Sequence, residues 1–220
     1  MNYYLLAIPA IIGIFVGGGL GILDNNQIEN NETLLTTQKL IKNGSPIVGD
    51  PNAPITILEW GDYQCTFCFR FHESSLNIIH KEYIETGMVN MIFKDFPLNG
   101  PDSILAAEAA YCAEDQGKYW TYHNELYMNW AGERTGWITN ESLNQFAKDS
   151  GLNIEKFNSC LNEHKHRQRV LDLEQFGKEI GIDATPSFLI FNDEKIIKIR
   201  GNQPIDVFRK VIDDLSNTSA

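Results

Sequence analysis

Residues 55–68 read ITILEWGDYQCTFC, a strand signal that runs directly into a pair of cysteines. The β-branched and apolar run at 55–60 follows two prolines, which predicts a buried strand. A helical pattern then covers 66–85, and MVNMIF at 88–93 predicts a second strand. We therefore expect a βαβ unit with both cysteines at the start of its helix.

The remainder of the chain predicts a helical block followed by a hairpin and a final helix. Residues 101–179 have a helical pattern throughout, with a helix at 140–150 that Asn140 would cap. Apolar runs at 187–191 and 195–199 predict the hairpin, and 204–215 predicts an amphipathic helix. Because one sheet must be completed from both ends of the chain, we interpret residues of about 98–180 as an insertion. The predicted fold is of the α/β class, with a βαβ unit before the insertion and a ββα unit after it.

The composition of the 220 residues excludes two classes of protein. Apolar residues make up 43% and charged residues 21%, so a folded core is expected rather than global disorder. The 18 basic and 29 acidic residues give a net charge of −11. Such a chain is not suited to bind the phosphate backbone, and we expect no nucleic-acid partner.

The first 45 residues differ from the rest of the chain. Residues 3–23 contain no charge and, at about 1.5 Å each, would span a hydrocarbon core as a transmembrane helix. We predict a single-pass anchor at 1–23, with a cleaved signal peptide as the alternative. A polar tether at 24–45, holding a short helix, would precede the working domain at 46–216. The charges beside the apolar stretch do not determine its orientation.

The spacing of Cys65 and Cys68 is typical of thiol–disulfide exchange. A helix N-terminus stabilises a thiolate on Cys65, while Cys68 lies one turn further along and can close a disulfide. Two alternatives remain, a pair of structural cysteines and half of a zinc site that borrows ligands such as His72 or His80. No second C-x-x-C is present, so we expect neither a metal nor a cofactor.

At this point the chain resembles a known family. LEWGDYQCTFC, the later GIDATPSFLIFN and the helical block between them are similar to the DsbA-like thiol:disulfide oxidoreductases, which have a thioredoxin fold with a helical insertion. The resemblance covers residues 46–216. It implies that Cys65 attacks, that Cys68 resolves, and that Pro186 is a cis-proline facing them. The backbone of Thr185 would then pair with an extended substrate peptide.

The resemblance also gives Glu59 a role. A carboxylate on a buried strand is costly, and the family places an acidic residue here as proton acceptor for the buried thiol. The alternative is a Glu that faces outward from a strand edge. The sequence departs from the family at Thr66 and Phe67, where proline and histidine are common. We expect this departure, and the acidic Glu59 and Asp62, to weaken the Cys65 thiolate.

Cys112 and Cys160 fall inside the predicted insertion. Some members of the family carry a structural disulfide there, so the resemblance implies a Cys112–Cys160 bridge, with two buried free thiols as the alternative. A bridge would place the domain in an oxidising, extracytoplasmic compartment. The basic run at 164–169 is typical of a solvated helix face.

These expectations combine into one functional prediction. The chain is predicted to be a membrane-anchored, exported and monomeric thiol:disulfide oxidoreductase that donates the Cys65–Cys68 disulfide to cysteine-containing substrate proteins. The resemblance implies a membrane quinone-linked oxidase as its redox partner. The alternatives are a reductase or isomerase on the same fold, and a protein without enzymatic activity that binds metal or peptide.

Overall fold

A computed structural model of the chain describes residues 20–24 and 37–217. In this part of the chain a single sheet contains β1 (Leu20–Asp24), β2 (Ile55–Gly61), β3 (Val89–Asp95), β4 (Ser187–Phe191) and β5 (Lys195–Arg200). The helices are α1 (Thr37–Ile41), α2 (66–84), α3 (Pro101–Glu114), α4 (Tyr119–Met128), α5 (Asn140–Asp149), α6 (Ile154–Asn162), α7 (Arg167–Glu179) and α8 (Ile205–Ser216).

The strands are arranged in the order β1-β5-β4-β2-β3. β2 pairs in parallel with β3, with Leu58 opposite Ile92, and antiparallel with β4, with Leu58 opposite Leu189. β4 and β5 form the predicted antiparallel hairpin. The central position of β2 explains its apolar sequence, since both of its faces and both of its edges are covered. The predicted βαβ plus ββα arrangement is confirmed.

Helix α2 is continuous but not regular. Its α-helical start, Thr66–Phe71, passes into π-helical turns at His72–Leu76 and His80–Ile84, separated by Asn77–Ile79. Each π-turn adds a residue to the helical repeat and rotates the buried face. The helical period in the sequence predicted the extent of the helix but not these two turns.

The helical insertion lies between β3 and β4, as predicted, although it is not helical throughout. Residues 129–139 form an irregular loop in which Gly132 and Gly136 have positive φ angles of 106° and 78°. The prediction of an unbroken helical block was wrong here, because these backbone conformations are incompatible with a helix. Thr139, rather than Asn140, caps α5, and its side chain accepts from the Ser142 N–H.

Two sets of contacts hold the insertion together. A disulfide joins Cys112 of α3 to Cys160 of α6, with their Cα atoms 5.8 Å apart. The basic run at 164–169 is solvent-exposed at His164, Lys165 and Arg167, as expected, and its charged side chains also pair with carboxylates of α3 and of the residue just after it. The fully buried Glu108 carboxylate, for example, binds His164 Nδ1 at 2.8 Å and Arg167 at 3.1 Å.

The predicted anchor at 1–23 lies mainly outside the described residues. Its last part does not continue a helix, because Leu20–Asp24 forms β1, which pairs antiparallel with β5 at the edge of the sheet. None of the helices within 37–217 is both long and apolar enough to cross a membrane.

The predicted tether at 24–45 also differs from the structure in its second half. Thr37–Ile41 forms the short helix expected within it, and Leu40 is completely buried in a cluster with Leu58 and Trp60 of β2. The Arg169 side chain donates to the backbone carbonyls of residues 43 and 44. These contacts make residues 37–45 part of the folded domain rather than of a tether.

Candidate active site

The link between β2 and α2 places Cys65 at the start of the helix. Its backbone is extended, with φ −67° and ψ 124°, and it occupies the N-cap position. The link is held by the buried Asp62 carboxylate, which accepts from the backbone N–H groups of Gln64 and Asn99 at 2.8 Å and from Ser103 Oγ at 2.7 Å. Asp62 therefore fixes the shape of the turn that presents Cys65.

The two cysteines differ in their surroundings. Both are free thiols, and Cys65 is 5% exposed whereas Cys68 is 1% exposed. The Cys65 thiol donates to the backbone oxygen of Thr185, with Sγ and O 3.5 Å apart. The Thr185–Pro186 peptide bond is cis. The structure thus brings the cysteine pair and the Thr185–Pro186 bond together from two distant motifs, four of the five residues that the sequence placed at the site.

The environment separates the acidities of the two thiols. The Cys68 thiol, which donates to the Cys65 sulfur, is the main cause that lowers the pKa of Cys65 from 9.0 to about 7. The backbone N–H groups of Phe67 and Cys68 act in the same direction, whereas burial opposes them. Burial is the main cause that raises the pKa of Cys68 well above its usual value. Near neutral pH a large fraction of Cys65 is therefore the nucleophilic thiolate, and Cys68 is a thiol.

This result bears on the expectation that the Cys65 thiolate is weaker here than in family members that carry an imidazolium. Thr66 and Phe67 supply no imidazolium, yet the pKa of Cys65 is still lowered by the neighbouring thiol and the helix start. The four hydrogen bonds to Asp62 direct its carboxylate toward Gln64, Asn99 and Ser103. Glu59 and the charge of Cys65 still repel each other, and the expected weakening of the thiolate stays a prediction.

Glu59 lies on the central strand β2, between β3 and β4, and is 2% exposed. The alternative of an outward-facing Glu on a strand edge is wrong. Burial, with a smaller contribution from the negative charge of Cys65, raises the pKa of Glu59 well above its usual 4.5. Glu59 also acts on the pKa of Cys68. A buried carboxyl group with a raised pKa thus interacts with both cysteines.

The buried Glu59 predicts a particular pH dependence of stability. Because its folded-state pKa is raised, the folded form binds a proton more tightly than the unfolded form, and stability falls as the pH rises above 4.5 toward the folded-state value. Glu59→Gln is expected to remove this fall, which amounts to as much as about 1.4 kcal/mol per pH unit. Urea unfolding of the reduced protein between pH 4 and pH 8 measures it. The gain of Glu59→Gln over the wild type should grow with pH, while exposed Glu155→Gln should change stability by less than about 0.5 kcal/mol.

The loop at 129–139 contributes residues that the sequence did not indicate. Trp130 Nε1 donates to the backbone oxygen of Gln64 at 3.0 Å, and the Arg134 N–H donates to Gln64 Oε1 at 2.9 Å. The Glu133 carboxylate accepts from the Thr66 N–H at 2.8 Å. These residues lie more than 60 positions from the cysteines in the chain, so no local pattern could have found them.

The possible zinc ligands do not join the cysteine pair. His72 Nε2 is hydrogen-bonded to Asn124 Oδ1 at 3.2 Å, and exposed His80 pairs with Glu85. Across 20–24 and 37–217 the one cluster with the geometry of a metal site contains Cys160, whose sulfur is bound in the disulfide. Within the described residues, the zinc site that would borrow these histidines is therefore not formed.

Comparison with known proteins agrees with this geometry. The family model described as "Thioredoxin" matches residues 23–214. Disulfide bond formation protein D of Bacillus subtilis (strain 168) is 29% identical over 177 residues, which cover 79% of this chain and 78% of that protein. The probable disulfide bond formation protein D of Bacillus anthracis is 26% identical over 215 residues, covering 96% and 92%.

Solved structures show the same fold. The crystal structure of oxidised BdbD from Bacillus subtilis superposes with a TM-score of 0.70 at 27% identity and covers 79% of this chain and 93% of its own. Alpha-DsbA1 from Wolbachia pipientis gives 0.71 at 27% identity, covering 83% and 97%. The chain belongs to the thioredoxin family and is a DsbA-like protein thiol:disulfide oxidoreductase, for which oxidation of substrate thiols is the favoured direction.

Proposed function

We propose that the protein is an exported, membrane-anchored and monomeric oxidase that donates the Cys65–Cys68 disulfide to cysteine-containing substrate proteins. The observation that carries this proposal is the difference between the two sulfurs. Cys65 lies at the helix start beside the Thr185 oxygen with a pKa of about 7, whereas the pKa of the buried Cys68 is raised. A sulfur of low pKa is the better leaving group, and Cys65 is the sulfur displaced when the second substrate thiolate resolves the mixed disulfide.

The proposed reaction passes through a mixed disulfide. A substrate thiolate attacks Cys65 Sγ, the Cys65–Cys68 bond breaks, and Cys68 leaves with the electron pair. A second substrate thiolate then attacks the substrate sulfur of the mixed disulfide and displaces Cys65 as a thiolate. Two electrons pass from the substrate dithiol to the cysteine pair, and the substrate gains one disulfide.

In this reaction Glu59 handles the proton of Cys68. When Cys68 leaves, its raised pKa favours the thiol, and the protonated Glu59 carboxyl supplies the proton. In the reverse step, when the pair is reoxidised, the carboxylate takes the proton back. Burial raises the pKa of this carboxyl and so favours the protonated form that the forward step needs.

Thr185 and Pro186 form the proposed substrate edge. The Thr185 backbone oxygen lies 3.5 Å from Cys65 Sγ, so an extended peptide that reaches Cys65 can pair with this backbone as an added strand. Phe67, 53% exposed beside Cys65, offers an apolar surface for a substrate side chain. Backbone pairing of this kind suits an oxidase with many substrates, because it does not depend on the substrate's sequence.

Export and anchoring complete the proposal. Residues 3–19, which precede β1, carry no charge, and as a helix they would cover about 26 Å, at the short end of what spans a bilayer. The disulfide between Cys112 and Cys160 is typical of an oxidising compartment. The reduced pair must pass its two electrons to an acceptor after each turnover. A membrane quinone-linked oxidase, which the family resemblance implies, would be reached by a protein held at the same membrane.

Fractionation of a bacterial host that expresses the full chain tests the location. The protein is expected to remain with the membranes after alkaline carbonate washing and to be digested by protease added outside spheroplasts. The variant Ile12→Lys/Ile14→Lys places two charges in the apolar stretch, at a cost of about 3 kcal/mol each, and should leave the membrane fraction. A wild-type protein recovered in the protease-protected soluble fraction would contradict the proposal.

A further inference from the structure

The first turn of α2 serves two acceptors at once. Its first N–H, from Thr66, donates to Glu133 Oε1 at 2.8 Å. The next two, from Phe67 and Cys68, lower the pKa of the Cys65 thiol that precedes them. A carboxylate and a thiolate therefore share one helix start, where unpaired N–H groups and the helix dipole favour a single negative charge.

Glu133 is held in this place by a structured loop. Its neighbours in sequence, Trp130 and Arg134, both bind Gln64, the buried residue that precedes Cys65. The Trp130 ring also stacks on Phe69 of α2, with ring centroids 4.5 Å apart and planes 9° apart. These contacts flank Glu133 on both sides. The folded loop therefore fixes the position of its carboxylate at the start of α2.

Other charged groups near this helix start have different partners. The Arg134 guanidinium donates to the backbone oxygen of Leu98, and Arg70 lies over the ring of Phe67. The Asp62 carboxylate accepts from Gln64, Asn99 and Ser103. Glu133 is thus the carboxylate that the structure hydrogen-bonds to the first N–H of α2.

We propose that Glu133 is a positioning residue that moderates the oxidising strength of the Cys65–Cys68 pair. Its charge repels a thiolate on Cys65, which exists only after the pair has been reduced. The disulfide and the mixed disulfide carry no charge at Cys65 and are not affected. Glu133 therefore destabilises the reduced, ionised form relative to the disulfide, and the pair releases its disulfide less readily than it would without this carboxylate.

The test compares the full-length wild type with Glu133→Gln, Glu133→Ala and the distant exposed control Glu155→Gln. Gln keeps an oxygen that accepts from the Thr66 N–H and removes the charge, whereas Ala removes both. Each protein is equilibrated with glutathione, so that protein disulfide and two thiols exchange for protein dithiol and glutathione disulfide. The Cys65 thiolate is titrated in parallel by its ultraviolet absorbance.

In Glu133→Gln we expect the equilibrium to shift about 2- to 5-fold toward the reduced protein, as removal of a charge at a helix terminus predicts. The thiolate should form at lower pH, and Glu155→Gln should behave as the wild type. A wild-type equilibrium in Glu133→Gln, or a shift toward the oxidised protein, would overturn the proposal. A change seen only in Glu133→Ala would also overturn it, because the hydrogen bond rather than the charge would then be responsible. The test uses the ratio of the variant's redox equilibrium constant to that of the wild type, which does not depend on the absolute potential. Failure of the Glu133 proposal can therefore be told apart from failure of the proposed oxidase function.

Discussion

Cys65→Ser is expected to reduce disulfide donation to the level of the reaction without protein. The serine hydroxyl cannot form the disulfide, and Cys68, which is 1% exposed and has a raised pKa, cannot be reached by a substrate in its place. The measurement is the oxidative refolding of a reduced, unfolded protein that needs disulfides for its activity, with the oxidised full-length chain as the only oxidant.

Cys68→Ser is the matched variant, since it also removes the disulfide but leaves the nucleophile. It should be equally inactive in refolding, yet Cys65 should form a stable mixed disulfide with glutathione disulfide because no thiol is left to resolve it. Mass spectrometry distinguishes the two variants. If the adduct formed on Cys68 in Cys65→Ser, and not on Cys65 in Cys68→Ser, the assigned roles would be reversed.

The second large effect is on stability. The double variant Cys112→Ala/Cys160→Ala is expected to lose about 4 kcal/mol, because the bond joins residues 48 positions apart and restricts the unfolded chain. Both residues are buried between helices α3 and α6, so alanine leaves no unpaired polar group. Guanidinium unfolding of the oxidised proteins measures the difference. The double variant should still donate disulfides to a refolding substrate in buffer without denaturant, since neither residue lies at the Cys65–Cys68 pair.

The presence of this bond can be examined separately by peptide mapping without reduction. Cys112 and Cys160 should appear in one linked peptide and resist alkylation in the native protein. Alkylated Cys112 in the native protein would contradict the bond, and a double variant as stable as the wild type would show that it contributes nothing to folding.

Much of the fold could be predicted because its signals are local. The apolar run of β2, the helical pattern after Cys65 and the apolar run of β4 each specify an element within a few residues. The cysteine pair and the Thr185–Pro186 bond were likewise visible as short motifs. The structure adds the distance between them, with Cys65 Sγ 3.5 Å from the Thr185 oxygen.

The remaining features depend on contacts between distant parts of the chain. Leu40 belongs to a polar segment, and only the cluster it joins with Leu58 and Trp60 shows that the segment is part of the domain. Glu133 lies in a glycine-containing loop, and its importance comes from the Thr66 N–H that it meets in space. Neither contact leaves a periodic pattern, so neither could be read from one sequence.

The central claim is that the Cys65–Cys68 pair gives up its disulfide readily. The names of the relatives, disulfide bond formation proteins, favour this direction. The lowered pKa of Cys65 acts the same way, but near pH 7 it stabilises the reduced form by only about 0.4 kcal/mol, because a thiol of ordinary pKa is still protonated there. The most direct test is an equilibrium redox titration of the full-length protein against glutathione, with Cys65→Ser as the blank. We predict a potential less negative than about −200 mV, on the oxidising side of the glutaredoxins. A potential at or below about −270 mV, the value typical of thioredoxin, would contradict the oxidase account.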